Sequence, residues 1–109
     1  MLVVILVYII CRDREEARRI ARLLMERRLA ACANLFPCES FYRWQGQIVE
    51  DNEHVLIAKT RPECYSTIVQ TVKSVHSYKV PAIIRLPVAE ADTQYLAWIE
   101  AETQACDAG

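Results

Sequence analysis

The chain has 109 residues, 53% of them hydrophobic, enough for one domain with its own core. A formal net charge of −1 argues against a partner held by bulk electrostatics, so nucleic acid is not expected. There are only two glycines and no repeat or low-complexity run to serve as a linker, so residues 1–109 read as a single domain.

The apolar run from Leu2 to Cys11, rich in Val and Ile, reads as a strand covered on both faces. It lacks a basic leader and is too short to span a bilayer, so no membrane partner is expected. A helix follows, with Asp13 as N-cap, Glu16 three residues on as its capping-box partner, and Ala17, Ile20, Ala21 and Leu24 as the apolar stripe. Its outer face carries Arg14, Arg18, Arg19, Arg22, Arg27 and Arg28. With Glu15 four residues before Arg19, this reads as a solvated, partly paired face rather than a phosphate site.

The next stretch reads as a long β-hairpin with Gln45-Gly46 at its turn and Phe41, Tyr42 and Trp44 beside it. Its pattern runs from about Ala31 to Thr60, so each arm could approach ~14 residues, or roughly 45 Å. A compact chain of about 100 residues has a radius of gyration near ~13 Å, so the tip should overhang its own protomer. Exposed aromatic strands of this kind are most simply covered by another copy of the chain, in a closed homo-oligomer. Pro37 should bend the first arm or lie on an edge. In the return arm, a break is expected between the acidic cluster Glu50, Asp51 and Glu53 and the apolar run Val55 to Ala58.

A second helix should begin near Pro62, with Thr60 and Glu63 placed for capping and Tyr65, Ile68, Val69 and Val72 as its buried stripe. Val80 to Val88 reads as a fourth strand bracketed by prolines, and Asp92 caps a last helix through Tyr95, Leu96 and Ile99. Residues 105–109 read as a loose tail. The five cysteines form an odd set with no close motif spacing, which suggests reduced thiols in a cytoplasmic protein. The element order is that of a ferredoxin-like βαββαβ sandwich, in the α+β class, with an extra C-terminal helix. That fold hosts binding modules and enzymes alike, and no nucleophile-base-orienter set, phosphate loop or closed metal motif points to an enzyme.

Leu29-Ala30-Ala31-Cys32, Tyr42-Arg43-Trp44-Gln45-Gly46, Lys59-Thr60, His76-Ser77-Tyr78-Lys79-Val80-Pro81 and Tyr95-Leu96-Ala97-Trp98 resemble, in order and spacing, the signature stretches of CutA-type divalent-cation-tolerance proteins. The resemblance spans residues 1 to about 104. It implies a ferredoxin-like protomer with a long β-hairpin, a PII-like homotrimer and a link to copper and other divalent cations. Ser77, Lys79 and Ala82 stand where the family commonly has Pro, Glu and Glu, so two loop carboxylates are missing.

Candidate site residues follow from these stretches. His76 suits Cu(II) or another divalent cation, weakly bound, or else satisfies backbone carbonyls at a helix end. Cys32 offers a soft metal ligand, against the alternative of an inert core thiol. Lys59 and Tyr78 could line a ligand cleft between subunits. Phe41, Tyr42, Trp44 and Trp98 are expected at a trimer interface. Two functions result: a metal-responsive homotrimer, or a PII-like scaffold binding a small anionic ligand or a partner protein.

Overall fold

Seven residues from Ile5 to Cys11 alternate between buried and half-buried positions, the signature of a central strand with one face on the core, and they form β1. A computed structural model describes residues 2–108 of the chain. After β1 come α1 (Arg14–Glu26), β2 (Cys32–Trp44), β3 (Gln47–Thr60), α2 (Tyr65–Val75), β4 (Ile83–Pro87) and α3 (Thr93–Glu102). Short 3-10 turns cover Pro62–Cys64 and Gln104–Ala108. The sheet order is β2-β3-β1-β4 with every neighbouring pair antiparallel, the arrangement of a ferredoxin-like fold.

α1 and α2 cover one face of this sheet. Ile5, Val7, Ile9 and Cys11 from β1 meet Leu56 and Ala58 from β3, Ile20 and Leu24 from α1, and Ile68 and Val72 from α2. Fully burying each large aliphatic side chain contributes about 1.5–3 kcal/mol, so this single layer supplies most of the stabilisation. On the other face the register aligns Leu6 with Leu86, Tyr8 with Ile84 and Ile57, and Phe36 with Val55. Ile84, Leu86 and Phe36 there are exposed.

The ends of α1 follow local chemistry. The Asp13 carboxylate accepts from the Glu16 N–H at 2.9 Å, as an N-cap should. At the far end Arg28 takes the left-handed φ of 56° usually given to glycine. Its N–H donates to Met25 O and that of Leu29 donates to Leu24 O, a Schellman closure in which buried Leu24 and Leu29 share the hydrophobic side.

The hairpin is longer than the rest of the fold needs, and the molecule measures 45 × 27 × 21 Å. Gln45 and Gly46 both have positive φ, 49° and 78°, as a two-residue type I′ turn requires. Gln45 is the strained member, because only glycine enters that region without hindrance. Gln45→Asn is therefore expected to stabilise the chain by about 0.5–1 kcal/mol, readable as a higher urea midpoint at unchanged slope.

Several expectations need correction. β3 runs without the break expected after the acidic cluster, because β2 pairs with it along its whole length, Cys38 opposite Glu53 and Ser40 opposite Asp51. Pro37 does lie at an edge, as expected, on the outer strand β2. The strands β1 and β4 are shorter than read: residues 2–4 pair with nothing in the sheet, and residues 80–82 form the approach to β4. Pro62 opens a 3-10 turn rather than α2 itself, and no side chain caps either start. The Thr60 hydroxyl donates instead to Leu29 O at 2.6 Å. Residues 104–108 form a 3-10 turn, and Gly109 lies outside the described residues.

Candidate functional site

Three backbone segments meet where β1 ends, α1 begins and α2 runs out, and Glu16 and His76 join them. Glu16 is fully buried, although it stands only three residues into the helix after its N-cap. Its Oε1 accepts from the Arg12 N–H at 2.8 Å and its Oε2 from the Ser77 N–H at 2.9 Å, with Arg19 Nη2 at 3.7 Å. The imidazole of His76 is also buried. The Tyr78 N–H donates to its Nδ1 at 3.0 Å, so the proton sits on Nε2, which donates to Ile10 O at 2.8 Å. Cys11, at the last position of β1, completes a group in which the ligand atoms of Cys11, Glu16 and His76 lie within 4.8 Å of one another.

The electrostatics suit a closed hydrogen-bonded hub. Burial drives the Glu16 carboxyl upward, but the N–H groups of Arg12 and Ser77 outweigh it and hold the group below its ordinary value of 4.5. Burial, followed by the charges of Glu16 and Asp13, pushes the Cys11 thiol up to about 12. A sulfur, a nitrogen and a carboxylate are donor types that zinc and Cu(II) accept. Both imidazole nitrogens are nevertheless engaged, and each Glu16 oxygen already accepts one backbone N–H. A cation here would have to take the proton from Cys11 and turn His76 away from Tyr78 or Ile10, leaving a partly buried backbone group without its partner. As built, the cluster does not fit a resident metal ion.

The remaining candidate residues fall elsewhere. Cys32 starts β2 opposite Lys59, whereas Ile10 under His76 pairs with Val55; four residues of β3, ~13 Å, separate the two positions along the strand. The two residues read as metal ligands are thus not brought together within the chain. Lys59 Nζ lies 5.6 Å from the Tyr95 ring centroid. Tyr78 Oη donates to Glu53 at 2.5 Å, and burial with that carboxylate raises the phenol. Glu53 and Lys59 are six residues apart on β3, ~20 Å, so the two cleft candidates do not share a pocket within one chain, and Tyr78 faces a carboxylate. A cavity of about 670 Å³ does lie over Tyr78, Glu53, Tyr8 and the base of the aromatic tip.

The four residues read as interface side chains are all exposed: Phe41 69%, Tyr42 38%, Trp44 56% and Trp98 44%. They form two patches. Phe41, Tyr42 and Trp44 sit at the hairpin tip, whereas Trp98 stacks on Tyr95 of α3 at 5.6 Å, near Lys59 at the opposite end of β3. From Gln47 opposite Trp44 to Lys59 is twelve residues of strand, ~40 Å.

Two features escaped sequence reasoning. Glu16 was read only as a capping partner, yet it stands four residues before Ile20 and eight before Leu24, on the buried stripe, and that spacing was the available signal. The cysteines also pair, contrary to the reduced set expected: Cys64 and Cys106 are joined by a disulfide, leaving Cys11, Cys32 and Cys38 free. Beside it the buried Arg61 guanidinium donates from Nε to Thr103 Oγ1 at 2.9 Å and from Nη2 to Thr103 O at 2.8 Å. The pairing spans 42 residues, far beyond any local motif.

Comparison with known proteins agrees with this architecture. Residues 5–102 match the family model described as CutA1 divalent ion tolerance protein. The divalent-cation tolerance protein CutA of Thermus thermophilus is 47% identical over 90 residues, 82% of this chain and 87% of the relative. That of Pyrococcus horikoshii is 41% identical over 100 residues, 92% of this chain and 98% of the relative. A solved structure named as the periplasmic divalent cation tolerance protein CutA from Archaeoglobus fulgidus superposes with a TM-score of 0.91 at 39% identity, covering 92% of this chain and 98% of that one. No helix among the described residues is long and apolar enough to cross a membrane. A match along nearly the whole length, in sequence and in fold, shows that the chain belongs to the CutA1 divalent ion tolerance family.

Proposed function

We propose that this chain serves tolerance of divalent cations as a homotrimer that meets copper or another divalent cation weakly, without a resident ion. The observation that carries the assembly is the pair of exposed aromatic patches about 40 Å apart on one protomer. A two-fold dimer can pair the two patches only reciprocally, tip to α3 and α3 to tip across one axis. Two unlike patches instead favour head-to-tail contacts, which close into a ring, and a trimer is the smallest ring of that kind. In this reading the tip of one protomer covers the α3 side of the next, and the exposed side chains of the open sheet face are buried with it.

The metal part of the reading is supported by the names its relatives carry, and the hub geometry sets its strength. His76 is the nitrogen donor to test. It is freed only in the fraction of molecules whose 76–78 segment has opened, and apparent affinity falls by that fraction. Calorimetric titration of the reduced protein with Cu(II) should therefore give micromolar or weaker binding, about −8 kcal/mol or less favourable, that His76→Ala removes and Cys32→Ser leaves unchanged. A saturable site tighter than ~0.1 µM would overturn this reading in favour of a resident ion. Sedimentation equilibrium tests the trimer independently, and a folded monomer at micromolar concentration would refute it. The reading places the protein in the cytoplasm, which cell fractionation checks.

A further inference from the structure

We infer that the Cys64–Cys106 bond is a thiol–disulfide latch: a dithiol reductant opens it, freeing the C-terminal turn while leaving α3 docked. The two sulfurs have unequal environments. Cys64 is fully buried at the start of α2, among the core side chains, whereas Cys106 is half-buried in a one-turn 3-10 segment at the chain's end. Their Cα atoms are 5.3 Å apart, within the ordinary range for a bridge. The free thiols are on other elements: Cys11 ends β1, and Cys32 and Cys38 lie on β2.

What the bond holds is limited by its neighbours. Arg61 grips the Thr103 hydroxyl and carbonyl with two hydrogen bonds that do not involve sulfur, and Thr103 closes the end of α3. Ile99 is fully buried as well. The end of α3 therefore stays anchored when the sulfurs part. Among the described residues the turn is joined to α3 by the bond from Cys106 N–H to Thr103 O, at 3.2 Å. A five-residue 3-10 turn is too short to persist alone, and the half-buried Cys106 is its contact with the core.

The chemistry balances with a dithiol as the reductant. Its thiolate attacks Cys106 Sγ, the accessible sulfur, forming a mixed disulfide, and Cys64 leaves as thiolate and takes a proton. The reductant's second thiol then attacks its own sulfur in the mixed disulfide. It expels Cys106, which is protonated to the thiol, and closes the reductant's own disulfide. Two electrons and two protons pass from the dithiol to the protein. Cys64 becomes a buried core thiol and Cys106 an exposed one on a mobile end.

The test uses the full chain. Air-oxidised protein, denatured without reductant and alkylated, should show three modified cysteines, and five after equilibration with dithiothreitol or with reduced glutathione in cytosol-like excess. On reduction, hydrogen exchange in 104–108 should accelerate at least ~tenfold while 93–102 keeps its protection. Cys106→Ser should reproduce the reduced exchange pattern in oxidising buffer, and Cys38→Ser should leave the latch intact. Five alkylated cysteines in the oxidised protein would overturn the proposal. So would a bond that survives both reductants under native conditions, which would be a permanent staple. Loss of protection throughout α3 on reduction would equally refute it.

Discussion

Glu16→Ala is expected to destabilise the protein by about 2–4 kcal/mol, because it leaves the partly buried N–H groups of Arg12 and Ser77 without their acceptor and opens a void where the buried carboxylate was. Glu16→Gln should fall between, since one amide oxygen still accepts. Urea unfolding at fixed protein concentration measures both, and a loss below about 1 kcal/mol for the alanine variant would show that the hub does not hold these segments. The pH dependence has a defined sign. The folded carboxyl lies below its ordinary 4.5, so its contribution is present above that value and is lost as pH falls through the lower folded one. The acid limb of the stability profile should flatten in both variants.

Trp44→Ala should have the largest effect on assembly. Truncating an aromatic anchor at an interface typically weakens it by about 2 kcal/mol or more, and a trimer contains the change three times, so its assembly free energy should weaken by ~6 kcal/mol. The trimer midpoint in a dilution series followed by sedimentation would move to higher concentration, and the melting temperature would become more concentration-dependent. Trp98→Ala should act in the same direction. If the tip of one protomer rests on α3 of the next, the double variant will lose less than the sum of the two single changes. Strict additivity would mean that the two patches do not meet.

The sequence carried the elements well because their signals are local. Asp13 and Asp92 were legible as N-caps, Gly46 as the turn, and Pro81 and Pro87 as brackets of the last strand, each from chemistry within a few residues. Features joined by long-range geometry were less visible. The partners of Glu16 lie at Arg12 and Ser77, and the second of these is 61 residues away. Cys64 and Cys106 are likewise brought together only when the turn after α3 meets the turn before α2. His76 illustrates the difference within one residue: its position after a helix was readable, but whether its ring faces a cation or a carbonyl depended on where β1 ends. The expected break in β3 failed for a related reason. Acidic residues disfavour a strand by themselves, yet continuous pairing with β2 overrode that preference.

The sheet order has a consequence for how the chain is made. β2 and β3 are sequence neighbours and can zip outward from Gln45-Gly46 as soon as both have emerged, a process of microseconds for a hairpin. β1 is synthesised first but lies between β3 and β4, so its second hydrogen-bonding edge stays open until Ile83–Pro87 arrives. A nascent or truncated chain ending before residue 83 therefore presents an apolar, half-paired central strand, the kind of edge that recruits other chains. The short strand β4, small as its share of the core is, is the element that closes the second edge of β1.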